Sequence, residues 1–438
     1  MLFKNFKEII ENGRTSEIKK ARKDVLNILS AALNAVDPYN AVKNFLDKQK
    51  IDISDFKDIY LIGFGKASIK MTKAVCDTFK IKKGIVITNE TKKKLDNNIQ
   101  VFTGGHPLPN ENSINGTEKT LQLIEKCREN DLLIVLISGG GSALLSKPRI
   151  PLNDLKKTTD LLLKSGANIK EINTIRKHLS LVKGGQLIKK AKCKVISLII
   201  SDIIGDPIQF IASGPTYPDS TTFSDAEEIL RKYDLWEKIP FSAKKIIQDG
   251  KKGLIPETPK QDDSVFEKVN NFIIANNKTA CEHAEKKAEE LGYKTLFLTS
   301  SLEGEAREAG KYLIEKAKNH LTNEKTVFIS GGETTVTVKG KGDGGRNQEM
   351  VLGAIETLSN ENMVFSSFAT DGIDGKSDAA GAIADGFSYK KALEKNLDPE
   401  KYLKNNNSYE FFKENGDLLI TGPTGTNVMD IQIILKLG

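Results

Sequence analysis

Leu132 to Ile137 is an unbroken aliphatic run, and the chain repeats such runs between stretches of helical periodicity. A continuously apolar strand buries both of its faces, so its sheet must be covered on both sides. With helices between the strands, that condition selects mostly parallel pairing. The first half supplies strand-like runs at 58–62, 84–88, 101–103, 132–137 and 195–201, after amphipathic helices at about 14–35 and 41–49. The second supplies 271–275, 294–298, 326–329, 364–369, 417–421 and 430–437. Gln248 to Ser264 is rich in Pro, Gly and charge and reads as a linker. At 438 residues the chain exceeds what one core usually holds.

The expected fold is therefore α/β: two Rossmann-like domains with mostly parallel sheets, at 1–255 and 265–438, with 417–438 free to pack back on the first. The cleft between them is the default active site.

Composition excludes several classes. The net charge of +7 comes from scattered Lys, and aromatics are not interleaved with Arg, so no nucleic-acid partner is expected. No apolar run reaches the ~18 residues of a membrane span. Cys76, Cys127, Cys193 and Cys281 have no CxxC spacing and read as reduced thiols of a cytoplasmic protein.

Two strands run into nearly matching Gly-rich segments: Ser138-Gly139-Gly140-Gly141-Ser142 and Ser330-Gly331-Gly332-Glu333-Thr334. Glycines let several N–H groups aim at one point and hydroxyls add donors, so both are expected to bind anions. Gly63-Phe64-Gly65-Lys66 lies where a phosphate loop would lie. Ser68 replaces the last glycine of GxGxxG, and Ala67 replaces the hydroxyl residue of a Walker loop. What survives is the Lys66 cation at the start of a helix, beside Gly65.

On the helix around Glu171 to Leu181, Asn173, Arg176, Lys177, Ser180 and Lys183 share the polar side at 100° per residue. An amide and an Arg fork ahead of Gly184-Gly185 suit a carboxylate or phosphate. His178 falls near the apolar side and reads as core. Asp202 and Asp371 each follow a strand, where a carboxylate can hold Mg²⁺ or accept a hydroxyl proton. Asp374 is a further metal candidate in the same loop as Asp371; capping a helix or bracing a turn is the alternative for all three. Arg346, followed by Asn347, stands at a helix start after a Gly-rich turn, where it can stabilise charge on a transferring phosphoryl group or form a salt bridge to Glu349.

These blocks, in this order, resemble the glycerate 2-kinase family, whose C-terminal half carries the MOFRL domain. They are GFGKAS, GGHPLPNENS, SGGGSALL, EINTIRKHLSLVKGGQL and SDIIGDPIQFIASGPTYPD, then SGGETTVTVKGKGDGGRNQE, ATDGIDGKSDAAGAIAD and TGPTGTNVMD. The resemblance implies phosphorylation of D-glycerate at its 2-hydroxyl, with ATP and Mg²⁺ or another divalent cation. It matches Lys66 and Arg346 to the family's functional Lys and Arg. Three other functions stay open: a glycerate 3-kinase, a nicotinamide-dependent hydroxypyruvate reductase and a non-catalytic sugar-acid sensor. A homodimer is open too.

Overall fold

The structure, a computed structural model, describes residues 2–49, 53–91 and 95–438. They form two compact units: Pro38–Ile274, and Ala275–Gly438 joined by Met1–Asp37.

The Pro38–Ile274 unit is built on six strands: β1 (Ile59–Phe64), β2 (Lys83–Thr88), β3 (Ile99–Thr103), β4 (Leu132–Ile137), β5 (Lys194–Ile200) and β6 (Val269–Ala275). Their order is β3-β2-β1-β4-β5-β6. The pairs from β3 through β5 are all parallel. β1 and β4 are fully buried along their length, as the continuously aliphatic sequence of β4 requires. Strand order reverses at the β1/β4 boundary. There the connections leave in opposite directions and a crevice opens at the carboxyl ends of the strands.

The second sheet consists of β7 (Lys294–Leu302), β8 (Thr326–Gly332), β9 (Met363–Ala369), β10 (Gly381–Asp385), β11 (Leu418–Leu419) and β12 (Asp430–Lys436). Its order is β11-β10-β9-β12-β8-β7. It is mixed, not mostly parallel: β7 and β8 are parallel, whereas β12 is antiparallel to both neighbours and β10 to β9 and β11. The sequence reading missed this because a fully buried antiparallel strand such as DIQIILK has the same apolar pattern as a parallel one. Nor does the 417–438 stretch return to the first domain, since β12 is the strand between β8 and β9.

The division of the chain also differs from 1–255 and 265–438. β6 extends the first sheet, where Asn271 and Thr216 exchange hydrogen bonds through Thr216 Oγ1 to Asn271 Oδ1 (2.7 Å) and Asn271 Nδ2 to Thr216 O (3.1 Å). Residues 1–37 belong with the C-terminal unit because helix Ser16–Ala35 carries Arg22 into it. Arg22, 1% exposed, donates through Nε to Asp385 (2.6 Å) and through Nη1 to Asp417 (2.7 Å). Removing one member of a buried charge set strands the others in low dielectric. Arg22→Met should therefore cost about 3–5 kcal/mol, read as a lower urea midpoint; an unchanged midpoint would show the triad adds nothing.

Candidate functional site

The loops after β1, β3, β4 and β5 meet at the β1/β4 reversal. Phe64 is opposite Ile137, which sets Gly65 against Ser138. A Cβ at Gly65 would lie 2.2 Å from Ser138 Oγ, and its φ of +121° is one that L side chains rarely adopt. Glycine is needed here for both reasons. The two loops are tied by Lys66 N–H to Gly139 O (2.9 Å) and Ala67 N–H to Ser138 Oγ (3.1 Å). Gly140, at φ +79°, turns the chain, and the amides of Gly139 and Gly140 have no backbone acceptor among the described residues. The first Ser-Gly-Gly segment is thus a turn with open donors.

Charged side chains ring it. A Cβ on Gly139 would sit 2.3 Å from Asp202 Oδ2, and one on Gly140 would sit 2.9 Å from the His106 ring and 3.3 Å from Lys66 Cγ. Lys66 is exposed at this rim. Burial pushes the Asp202 carboxyl above its ordinary value, against the pull of Lys66. Burial and then the Lys66 charge push His106 below its ordinary value. Sequence reasoning did not select His106. The rule that singled out Asp202, a functional side chain just past a strand end, applies to it equally.

Behind the turn, Ser142 Oγ hydrogen-bonds Ser213 Oγ (2.8 Å), which donates to Asn173 Oδ1 (2.9 Å). Arg176 Nη2 reaches Ser142 O at 3.5 Å. The structure thus brings Asn173, Arg176 and Ser142 together. Lys177 leaves the group for the buried Asp219, 3.1 Å away. His178 is core: its ring lies 4.6 Å from that of Phe223 and its Nδ1 is 2.7 Å from Thr174 O.

The second Ser-Gly-Gly segment is not an anion turn. Ser330, Gly331 and Gly332 are the end of β8, in register with Gln432, Ile431 and Asp430 of β12. Ser330 Oγ donates to Gln432 Oε1 (3.1 Å), and Glu333 N–H to Leu302 O (2.9 Å). The glycines answer crowding: a Cβ would meet Asn277 Oδ1 at 2.0 Å from Gly331, and Leu302 N at 2.2 Å from Gly332. Thr334 is buried, and its hydroxyl has no partner among the described residues.

Around that strand end lies the second cluster. Arg346 opens helix Arg346–Ala354 and grips Asp430 with two bonds, Nε to Oδ2 (2.5 Å) and Nη2 to Oδ1 (3.0 Å). Its Nη1 lies 2.8 Å from Glu333. Burial opposes the guanidinium charge, but the Asp430 and Glu333 carboxylates hold it above its ordinary value. Asp430 was not selected from sequence; its signal is an acid opening a mostly aliphatic strand.

Asp374 does not project into open space as a metal ligand would. Its Oδ1 accepts from Asn347 N (3.1 Å) and Nδ2 (3.2 Å), and its Oδ2 from Gln348 N (2.8 Å). It caps the helix start, leaving Asn347 Oδ1 to accept from Ser367 Oγ (2.6 Å). Asp371 is part-exposed in the same loop and accepts from Ile373 N (3.1 Å). Among the described residues no group of three or more His, Cys, Asp or Glu could hold a metal ion.

Burial pushes Asp374 up to about 6, against the pull of its backbone donors. A carboxyl raised on folding contributes stability that is fully present below its ordinary 3.8 and is lost as pH rises through about 6. The melting temperature of wild type minus that of Asp374→Asn should therefore fall between pH 5 and pH 7. A difference that rises over that range would contradict the assignment.

Fold and site together define an α/β protein with a turn of open backbone donors at a sheet reversal, flanked by Lys, His and Asp. A domain of unknown function, DUF4147, matches residues 24–248, and the MOFRL family matches residues 326–430. Glycerate 2-kinase of Pyrococcus horikoshii is 47% identical over 94% of this chain and 96% of its own. D-glycerate 2-kinase of Thermotoga maritima is 40% identical over 94% and 97%. The crystal structure of a glycerate kinase from Thermotoga maritima superimposes with a TM-score of 0.87, covering 95% of this chain and 99% of that one at 40% identity. The chain belongs to the glycerate 2-kinase family.

Proposed function

We propose that this protein transfers the γ-phosphoryl group of ATP to the 2-hydroxyl of D-glycerate, giving 2-phosphoglycerate and ADP. The observation that carries this reading is the convergence of Lys66, His106 and Asp202 on the open amides of Gly139 and Gly140. Phosphoryl transfer is catalysed mainly by positioning and charge stabilisation, which is what this set of groups provides. Lys66 and Arg346 neutralise charge on the phosphoryl group, and Asn173 and Arg176 bind the glycerate. His106 hydrogen-bonds the ligand without adding charge. Asp202 accepts the hydroxyl proton or ligates a divalent cation, and Asp371 is the second carboxylate available to either task. Mg²⁺ is usually held by one or two carboxylates plus phosphate oxygens. A site without a preformed cage therefore suits it, and bound there it would neutralise phosphate charge. The proposal includes a cytoplasmic protein and a homodimer.

The test is D-glycerate, ATP and Mg²⁺ coupled to enolase with no phosphoglycerate mutase present. A signal is expected, and ADP formation followed directly, without enolase, should vanish with EDTA. A product detected only after mutase is added would mean the 3-kinase instead. The strand order, shared with dinucleotide-binding folds, favours one second reading, nicotinamide-dependent reduction of hydroxypyruvate. Against it, buried Ser68 stands where the last glycine belongs and donates to Gly65 O (2.8 Å). Oxidation of NADH by hydroxypyruvate would establish that reading.

A further inference from the structure

Behind the Ser138–Ser142 turn, two cations converge on one carbonyl. Lys183 Nζ donates to Ser142 O (2.6 Å) and Leu145 O (3.2 Å), and Arg176 Nη2 approaches the same Ser142 O at 3.5 Å. Lys183 is 4% exposed. Neither cation has a carboxylate partner among the described residues, in contrast to Lys177 beside them, which is paired with Asp219. Arg149, close by, is satisfied by Ser180 O and Gln186 Oε1, again without an acid. Charging a buried amine beside another cation with no counter-charge is costly, so Lys183 gives up its proton easily until a ligand brings the missing anion. Ser142, Ser213 and Asn173 offer neutral hydrogen-bonding groups at the same place, and Gly139, Gly140 and Ser142 remain part-exposed.

We propose that Arg176 and Lys183 form a two-cation seat for one oxyanion of the ligand, and that filling it draws a proton from solvent onto Lys183. The inference rests on the reading that Arg176 and Asn173 hold an anionic ligand, and it adds Lys183 and a proton to that reading. Burial, and then Arg176, depress the proton affinity of Lys183 well below that of an ordinary lysine. The charged groups facing it are Arg176 and, further along, the neutralised Lys177–Asp219 pair. An anion arriving beside it reverses the balance, so binding and protonation are linked, and affinity should weaken as pH rises.

The experiment is calorimetric titration of the full chain with D-glycerate and, separately, with the non-hydrolysable ATP analogue AMP-PNP. Each is run at pH 8 in HEPES and in Tris, whose ionisation enthalpies differ. The expected result is a buffer-dependent enthalpy corresponding to uptake of up to about one proton for one of the two ligands. Uptake with D-glycerate assigns the seat to a carboxylate, and uptake with AMP-PNP assigns it to a phosphate. Lys183→Arg, which cannot lose its proton, should abolish the uptake while keeping affinity within about tenfold. Lys183→Met should abolish the uptake and weaken binding about 10–100-fold. Melting temperatures identify any variant that fails to fold, and either variant alone suffices.

Buffer-independent enthalpies for both ligands in the wild type, or uptake that survives in a folded Lys183 variant, would overturn the proposal. Proton uptake without any ADP formation would keep the seat and refute the kinase. ADP formation without uptake would do the reverse.

Discussion

Arg346→Ala should lower kcat/KM for D-glycerate about 10³–10⁵-fold, the range found when an arginine that stabilises phosphoryl-transfer charge is removed. It should also destabilise the protein, because Asp430 is 1% exposed and loses the partner that neutralises it. Breaking a buried pair from one side costs about 3–5 kcal/mol, though the one-third exposure of Arg346 lowers that figure. The two effects can be separated. Asp430→Asn in the Arg346→Ala background removes the stranded carboxylate, so the urea midpoint should recover while kcat/KM stays low. Recovery of both would make Arg346 a structural residue, and its assignment to chemistry would be wrong. Arg346→Lys should recover only part of either, since an ammonium cannot reproduce the two-pronged grip on Asp430.

Lys66→Ala should lower kcat about 10²–10³-fold, as expected when one donor to developing charge is lost. Here stability should move by no more than about 0.5 kcal/mol, because Lys66 is exposed and the loop it sits on is held by backbone bonds. The contrast with Arg346 is the informative part: one cation is anchored by the buried Asp430, the other has no ion-pair partner among the described residues. A kcat within a few-fold of wild type would remove Lys66 from the mechanism. Loss of activity together with a large fall in melting temperature would mean that the loop, not the charge, had been damaged.

The residues most legible in the sequence were those whose local surroundings already state their role. Lys66 follows a Gly-x-Gly turn, and Ser138–Ser142 follows a strand that can only be buried; both were found where the structure puts them. The polar helix side carrying Asn173 and Arg176 was found by helical spacing, and Lys183 by continuing that spacing. The helix itself stops at His178, so Lys183 reaches Ser142 through the loop that follows.

Illegible residues were those whose reason is a distant neighbour. Gly331 and Gly332 looked like a flexible loop, but their small size answers Asn277 and Leu302, which no local pattern announces. Asp430 lies 84 residues beyond Arg346, so their pairing is invisible until the sheet is folded. Asp374 showed the opposite failure. An acid in a Gly-rich loop fits a metal ligand and a helix cap equally well in sequence, and only its three N–H donors decide.

The unit that holds Arg346 is assembled from both ends of the chain, with residues 38–274 forming a separate unit between them. On the ribosome, helix Ser16–Ala35 is made first and must wait for Asp385 and Asp417 before Arg22 is neutralised. β12, which joins β8 to β9, is made after the strands it joins. The intervening unit can fold as it emerges, whereas the other half cannot close its sheet until β12 has been made. A nascent chain stalled short of Asp430 would therefore carry a complete first sheet and a second sheet lacking an inner strand, and that second sheet is where chaperones should bind.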